Sequence, residues 1–437
     1  MMKGRIAVIL LLLSYVTEVV PRSCRKYANQ VLLVSMDGFR YDYPEKVSTP
    51  NFDRMARKGV RAAYVNNTFT TKTFPSHYSI ATGLYDESHG IVGNHMYDPK
   101  FNEIFSMRSH ETKWWDQGEP LWITTRKHGL KSGTLFWPGS EAEIQGLRPN
   151  TWYAYNESIS FDKRVDMVID MLKKDKYNLV TTYFHEPDRT GHLFGPESVE
   201  VRDKIAEMDS LLGTLLDKLN ASGLLDSVNL ILTSDHGMAT TDYNNKLVDI
   251  YDLVDRAKIN FTVDSGPIMQ VVPVAGEVAA VVRGINRNPN FTAYRKEDIP
   301  EEWHYKNNRR IMPVFVLADE GWTISPNKTE SRMEPNKGNH GYDNSLMVMK
   351  PIFYAIGPNI RSGMSAPPLK SIDIYPMICE LLGIPPSPNN GSLDNTASFI
   401  RSFPEDEQIC DGTGSSRIIR YEAILVCLLL LLNVMIT

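Results

Sequence analysis

Three stretches of the chain are apolar almost without interruption: Gln30–Met36 (QVLLVSM), Asn178–Phe184 (NLVTTYF) and Val228–Ser234 (VNLILTS). Runs of this length, without polar alternation, suit strands buried on both faces. Between them the period changes. Ile205, Met208, Leu212, Leu215 and Leu219 recur at steps of three and four, which predicts an amphipathic helix leading through Gly223 into the third run. Val165, Val168, Ile169 and Leu172 repeat that spacing ahead of the second run. Buried strands alternating with one-sided helices predict an α/β fold with a mostly parallel sheet sandwiched between helices. The later apolar segments Val314–Leu317 and Ile352–Ile356 are expected to extend the same sheet.

Composition leaves this picture intact and narrows the function. The 437 residues are 42% hydrophobic and 23% charged, ordinary globular usage that excludes collagen-like, coiled-coil and disordered classes. Lys and Arg number 47 against 52 Asp and Glu, so no electropositive surface for a nucleic-acid polymer is expected.

The ends have another character. Lys3 and Arg5 precede the apolar run Ile6–Leu13, with small and polar residues toward Ser23, the order of a secretory signal peptide over residues 1–22. Residues 411–437 hold Gly412, Thr413 and Gly414, then a polar spacer Ser415–Glu422, then an apolar tail Ala423–Thr437. That order fits a lipid-anchor signal, and the rival is a short single-pass helix that would bury Arg420 and Glu422. Either reading leaves residues 26–410 as one large domain, or a domain with a substantial insertion, held at the outer cell surface. Sequons at Asn66, Asn156, Asn220, Asn260, Asn290, Asn327 and Asn390 agree with a secreted, N-glycosylated protein. Cys427 lies in the tail, and among Cys24, Cys379 and Cys410 the expected bridge is Cys379 with Cys410.

Candidate chemistry follows from where the strands stop. The first run ends at Asp37 (DGF), the second is followed by Asp188 (EPDRTGH), and the third ends at Asp235 (DHG). In open α/β sheets this carboxyl edge is where ligands bind. A lone Asp after a strand is a common turn residue. Three at one edge are different, with His192 four residues after Asp188 and His236 beside Asp235; His340 (NHGYDN) adds a further imidazole. Mixed carboxylate and imidazole sets are what zinc takes, in contrast to the oxygen sets of calcium or magnesium. Two such sets imply a pair of ions, an arrangement able to neutralise the attacking and leaving oxygens of a displacement at phosphorus. Near the end of the first strand, Thr70–His77 (TTKTFPSH) offers hydroxyls ahead of a helix-like segment, Tyr78–Leu84.

Together, DGFR at Asp37–Arg40, TKTFP at Thr71–Pro75, GLYDESHGIVGN at Gly83–Asn94, EPDRTGH, SDHGM and NHGYDN resemble the ectonucleotide pyrophosphatase/phosphodiesterase family of the alkaline phosphatase superfamily. The motifs occur in family order across nearly the whole of residues 26–410. The resemblance implies an alkaline phosphatase-like three-layer sandwich, two zinc ions, and a compact member of the family. It makes Thr73 the nucleophile and a zinc ligand, with Asp37, Asp235 and His236 on the same ion and Asp188, His192 and His340 on the other. Asn94 would donate to a phosphate oxygen, and Phe74 and Tyr155 match positions whose rings sandwich a nucleobase. Core packing is the plainer role for such aromatics. The implied reaction is hydrolysis of nucleotide phosphodiester or phosphoanhydride bonds through a phosphoryl-threonine, releasing a nucleoside 5'-monophosphate. Ser76 stands where many relatives carry Asn, but a Ser can still bond locally.

Two other functions compete. A choline-phosphate or lysophospholipid diesterase of the same family needs a cationic-headgroup or acyl pocket, and no sequence feature selects one. A catalytically silent adhesion protein has no need of Thr73 and all six ligands, because clustered carboxylates are costly to retain. His77, His89, His95, His110, His128, His185 and His304 show no acidic partner at ligand spacing and read as structural or surface residues. Trp114, Trp115, Trp122 and Trp322 read as packing residues.

Overall fold

The three uninterrupted apolar runs lie side by side at the centre of an eight-stranded sheet. In the computed structural model, which describes residues 30–401, its strands are β1 (Gln30–Met36), β2 (Val60–Ala62), β3 (Ser132–Leu135), β4 (Thr151–Tyr153), β5 (Leu179–Phe184), β6 (Val228–Thr233), β7 (Phe353–Ile356) and β8 (Met364–Ala366). Across the sheet they run in the order β8-β2-β7-β6-β1-β5-β3-β4. β1 pairs in parallel with β5 and β6, setting Val34 beside both Thr182 and Leu232. Within this sheet β7 alone is antiparallel to its neighbours. The segment Ile352–Ile356 therefore joins the sheet as expected.

Val314–Leu317 does not. It forms the strand Val314–Ala318 of a separate antiparallel sheet, between Ile268–Pro273 and Phe291–Arg295, with Ile259–Val263 at one edge. All five of its residues are buried there, so its apolar run reported burial correctly without telling which sheet it joins.

Side-chain alternation along β1 divides two cores. The helices concerned are α1 (Pro50–Lys58), α2 (Thr73–Thr82), α3 (Phe161–Lys173), α4 (Asp188–Phe194), α5 (Val199–Ala221) and α6 (Ile374–Leu382). Val31 and Leu33 pack into one cluster with Tyr78 and Ile80 of α2 and Met377 and Ile378 of α6. Leu32, Val34 and Met36 pack on the other face with Phe52 and Met55 of α1, Val165 and Leu172 of α3, and the predicted stripe Ile205, Met208, Leu212, Leu215 and Leu219 of α5. Each fully buried Val or Leu in these layers contributes about 1.5–3 kcal/mol relative to exposure. The arrangement is helices, sheet, helices, the three-layer sandwich that the resemblance implied. Ser160 and Ser198 accept the N–H groups of Lys163 and Val201 and so fix where α3 and α5 begin.

Among the described residues no helix is long and apolar enough to cross a membrane. Residues 1–22 and 411–437, together with Cys24, Cys410 and Cys427, lie outside the described residues; Cys379 is buried in α6. None of the seven sequon asparagines is buried, and Asn156, Asn220, Asn260, Asn327 and Asn390 are exposed.

Candidate active site

β1 sits between β5 and β6, so the carboxylates that follow these three strands meet at one edge. Gly38 brings them close. Its φ of +66° is open to glycine, and a Cβ there would lie 2.8 Å from Asp188 Cβ. The Gly38 N–H donates to Asp235 Oδ1 at 3.1 Å, while the Asp188 N–H donates to the Asp37 carbonyl at 3.0 Å. Arg40 of the DGFR segment donates to the Met238 carbonyl and so ties this turn to the DHGM turn.

The carboxylates are only partly satisfied. Asp37 Oδ2 accepts the Tyr183 hydroxyl at 2.6 Å, and Asp235 Oδ1 also accepts from Ser234 Oγ at 3.2 Å. The oxygens Asp37 Oδ1, Asp188 Oδ1 and Asp235 Oδ2 are buried with no hydrogen-bond partner. Facing them are imidazoles. His236 Nε2 lies 3.4 Å from Asp37 Oδ1 and 3.0 Å from Asp235 Oδ2; His192 and His340 Nε2 lie 3.4 and 3.7 Å from Asp188 Oδ1.

In all three rings Nδ1 contacts a backbone carbonyl: Gly338 for His192, Gly237 for His236 and Thr71 for His340, at 2.8, 2.9 and 2.8 Å. An Nδ1–H donating to a carbonyl leaves Nε2 of the neutral ring as a lone-pair donor, the usual second support of a metal-binding histidine. Lone pairs aimed at bare carboxylate oxygens repel each other unless positive charge lies between them. The electrostatics state the same demand. Burial, then the charges of Asp235 and Asp188, push the Asp37 carboxyl well above the usual range. Burial opposes a proton on His236, but Asp235 outweighs it and raises that imidazole. Burial and then His236 hold His340 neutral, well below the ordinary histidine value.

These donors form two tight groups, Asp37 with Asp235 and His236, and Asp188 with His236 and His340, with ligand atoms within 4.8 Å of one another in each. The chemistry of the set fits a metal ion of the kind that accepts oxygen and nitrogen together. The first group is the trio assigned to one ion from the sequence. In the second, His236 takes the place given to His192, whose Nε2 nevertheless faces the same Asp188 oxygen.

Thr73 opens α2, and its Oγ1 is 3.3 Å from His236 Nε2. Two clasps hold its loop. Thr71 Oγ1 donates to the Tyr342 carbonyl at 2.8 Å, and Asp86 Oδ2 accepts the Thr70 N–H at 2.8 Å. Ser76 makes the local bond left open to it, to the Thr70 carbonyl at 3.4 Å. Asn94 Oδ1 accepts the Phe74 N–H at 2.9 Å, which leaves the Asn94 amide nitrogen as a donor. A cavity of about 940 Å³ joins these groups, lined by Asp37, Thr73, Asn94, Asp188, His192 and His340 together with Phe74 and Tyr155. Tyr155 is 42% exposed, which sets it apart from a core aromatic. Its hydroxyl lies 3.3 Å from His185 Nδ1; His185 stays neutral because burial and then Arg164 push it down to about 4.

Four of the histidines read as structural or surface residues gain polar neighbours once the chain is folded. His77 is fully buried 3.3 Å from Asp235 Oδ2, with Nδ1 on the Thr73 carbonyl and Nε2 on Ser35 Oγ. His89 contacts Asp86 at 3.6 Å and His110 contacts Glu141 at 3.8 Å. His185 lines the cavity. Tyr183 also belongs to the site, and its only sequence signal is its place at the end of β5, the strand that leads to Asp188. Trp114, Trp115 and Trp122 are buried, as expected.

Comparisons with known proteins point the same way. Residues 31–343 match the family described as type I phosphodiesterase / nucleotide pyrophosphatase. Human ectonucleotide pyrophosphatase/phosphodiesterase family member 5 is 42% identical over 378 residues, covering 85% of this chain and 78% of the relative. The bis(5'-adenosyl)-triphosphatase enpp4 of Xenopus laevis is 40% identical over 375 residues, covering 85% of this chain and 81% of its own. An inactive form of murine ectonucleotide pyrophosphatase/phosphodiesterase 5, solved in complex with AMP, superposes with a TM-score of 0.82 at 40% identity, covering 85% of this chain and 100% of that one. With this ancestry and this sheet, the chain belongs to the ectonucleotide pyrophosphatase/phosphodiesterase family of the alkaline phosphatase superfamily, resembling members 4 and 5, and is a phosphodiesterase hydrolase.

Proposed function

We propose that the protein is a zinc-dependent, cell-surface nucleotide pyrophosphatase/phosphodiesterase whose nucleophile is Thr73. The observation that carries this reading is the set of three partnerless carboxylate oxygens, Asp37 Oδ1, Asp188 Oδ1 and Asp235 Oδ2, turned toward imidazole nitrogens beside the Thr73 hydroxyl. Asp37, Asp235, His236 and Thr73 would hold one zinc and Asp188, His192 and His340 the other. Bound there, zinc supplies the Lewis acidity that lowers the pKa of a hydroxyl and neutralises charge on a phosphate.

The chain's own groups do the rest. Thr73 Oγ1 attacks phosphorus from the first turn of α2, where the helix dipole favours an anion. The bond from phosphorus to the leaving oxygen breaks as the Thr73 ester forms, and water then cleaves that ester to give the nucleoside 5'-monophosphate and restore the hydroxyl. Asn94 donates its free amide hydrogens to a phosphate oxygen. Phe74 and Tyr155 hold the base by stacking, which suits any base. Support for a nucleotide comes from the AMP bound to the murine relative and from the dinucleoside triphosphatase name of the Xenopus relative.

The body spans residues 26–410, with an N-terminal leader and a C-terminal lipid anchor outside it, and carries N-glycans on its unburied sequons. Phosphatidylinositol-specific phospholipase is expected to free the full-length protein from intact cells; retention on the cell would favour a spanning helix.

The substrate reading is tested at Tyr155. Stacking is worth about 1–3 kcal/mol per base, so Tyr155→Ala is expected to raise KM for nucleotides about 5- to 150-fold. A small aryl phosphodiester should be little affected. Equal effects on both, or turnover of choline-phosphate esters alone, would move the substrate away from nucleotides.

A further inference from the structure

Asp37 is held differently from Asp235. The Asp235 carboxylate is fixed by a backbone N–H and a neighbouring hydroxyl, from Gly38 and Ser234. Among the described residues the Asp37 carboxylate has one hydrogen-bond donor, the Tyr183 hydroxyl on Oδ2 at 2.6 Å. That hydroxyl is itself rigidly placed. Tyr183 lies in β5 in register with Ser35 of β1, its carbonyl accepts from Arg164 at 3.0 Å, and its ring meets His77 edge-on at 5.2 Å. The ring also meets Tyr155, at 6.1 Å between centroids.

We propose that Tyr183 is a positioning residue that sets the metal affinity of the site. By engaging Oδ2 it fixes the rotation of the Asp37 carboxylate and leaves Oδ1 as the oxygen presented to the cluster, 3.4 Å from His236 Nε2. Without the hydroxyl the carboxylate can rotate and offers two equivalent oxygens, so the ordering falls on the binding step. Outer partners of metal ligands typically matter at the level of 10- to 100-fold in affinity. The inference rests on the reading of Asp37 as a metal ligand.

The test uses the full chain, stripped of metal and titrated with zinc against a competing chromogenic chelator, with the thermal midpoint of the stripped protein recorded alongside. Tyr183→Phe removes one oxygen and no ring atom. It is expected to weaken zinc binding about 10- to 100-fold, while the stripped protein still unfolds cooperatively at a midpoint lowered only modestly, because Asp37 Oδ2 loses its donor. Tyr155→Phe, which removes a hydroxyl that touches no ligand, should leave affinity at the parental value. In an Asp37→Ala background Tyr183→Phe should cause no further loss. Parental affinity in Tyr183→Phe, an equal loss in Tyr155→Phe, an additive loss with Asp37→Ala, or a collapsed midpoint that marks Tyr183 as a core residue would each overturn the proposal. A parent that binds no zinc would overturn both this inference and the function on which it rests.

Discussion

Replacing Thr73 by Ala is expected to lower kcat by at least about 10³-fold, the scale on which a nucleophile is lost from a site whose remaining groups still bind substrate. The substitution is local. Thr73 Oγ1 contacts His236 Nε2, and the bond from His77 Nδ1 goes to the Thr73 backbone carbonyl, which Ala also carries. Ala also favours the helix that Thr73 begins. The six Asp and His donors stay in place, so zinc content and AMP binding should remain near the parental level while turnover disappears. Thr73→Ser, which keeps the hydroxyl, should recover part of the rate. Near-normal turnover in Thr73→Ala would remove this residue from the nucleophile's role, whatever the metal content.

Legibility of the site in the sequence followed the topology of the sheet. Asp37, Asp188 and Asp235 could be picked out because each follows a buried strand, and parallel neighbours deliver such residues to one edge. His192 and His236 came with them as near neighbours in the chain. The residues that hold these ligands in place were not visible in the same way. Tyr183 reaches Asp37 across 146 positions, and His77 contacts Asp235 from a helix whose local sequence carries no acidic residue. Such contacts exist only once β1, β5, β6 and α2 are assembled. The same limit explains Val314–Ala318. Its apolar residues required burial, and burial was satisfied by antiparallel pairing with Ile268–Pro273 in a second sheet. Exchange of His236 for His192 in the second tight group has a similar origin, since the His236 and His340 rings stack at 3.4 Å from segments about a hundred residues apart.

Stripping the protein of metal should abolish turnover, zinc should restore it, and the loaded protein should contain two zinc ions per chain. The stability of the two forms should also differ. Free zinc at about 1,000 times its dissociation constant stabilises a native state by about 4 kcal/mol, so the thermal midpoint should fall measurably on chelation. The pH dependence separates a real site from general chelator damage. In the stripped protein both Asp37 and His236 are raised, Asp37 first by burial and then by Asp235 and Asp188, and His236 by Asp235 against burial. A raised group binds its proton more tightly when folded, so its contribution is present below its unfolded pKa and is lost as pH rises through the folded value. The lowered imidazoles of His77 and His340 act in the opposite sense, but only below the ordinary histidine value of 6.5. Above pH 6.5 the stripped protein should therefore lose stability as pH rises. Zinc binding displaces protons from the same groups and strengthens over that range. The gap between loaded and stripped midpoints should consequently widen with pH. A purified protein that carries no transition metal, or that turns over unchanged after exhaustive chelation, would show that the carboxylate and imidazole edge does not work through bound ions.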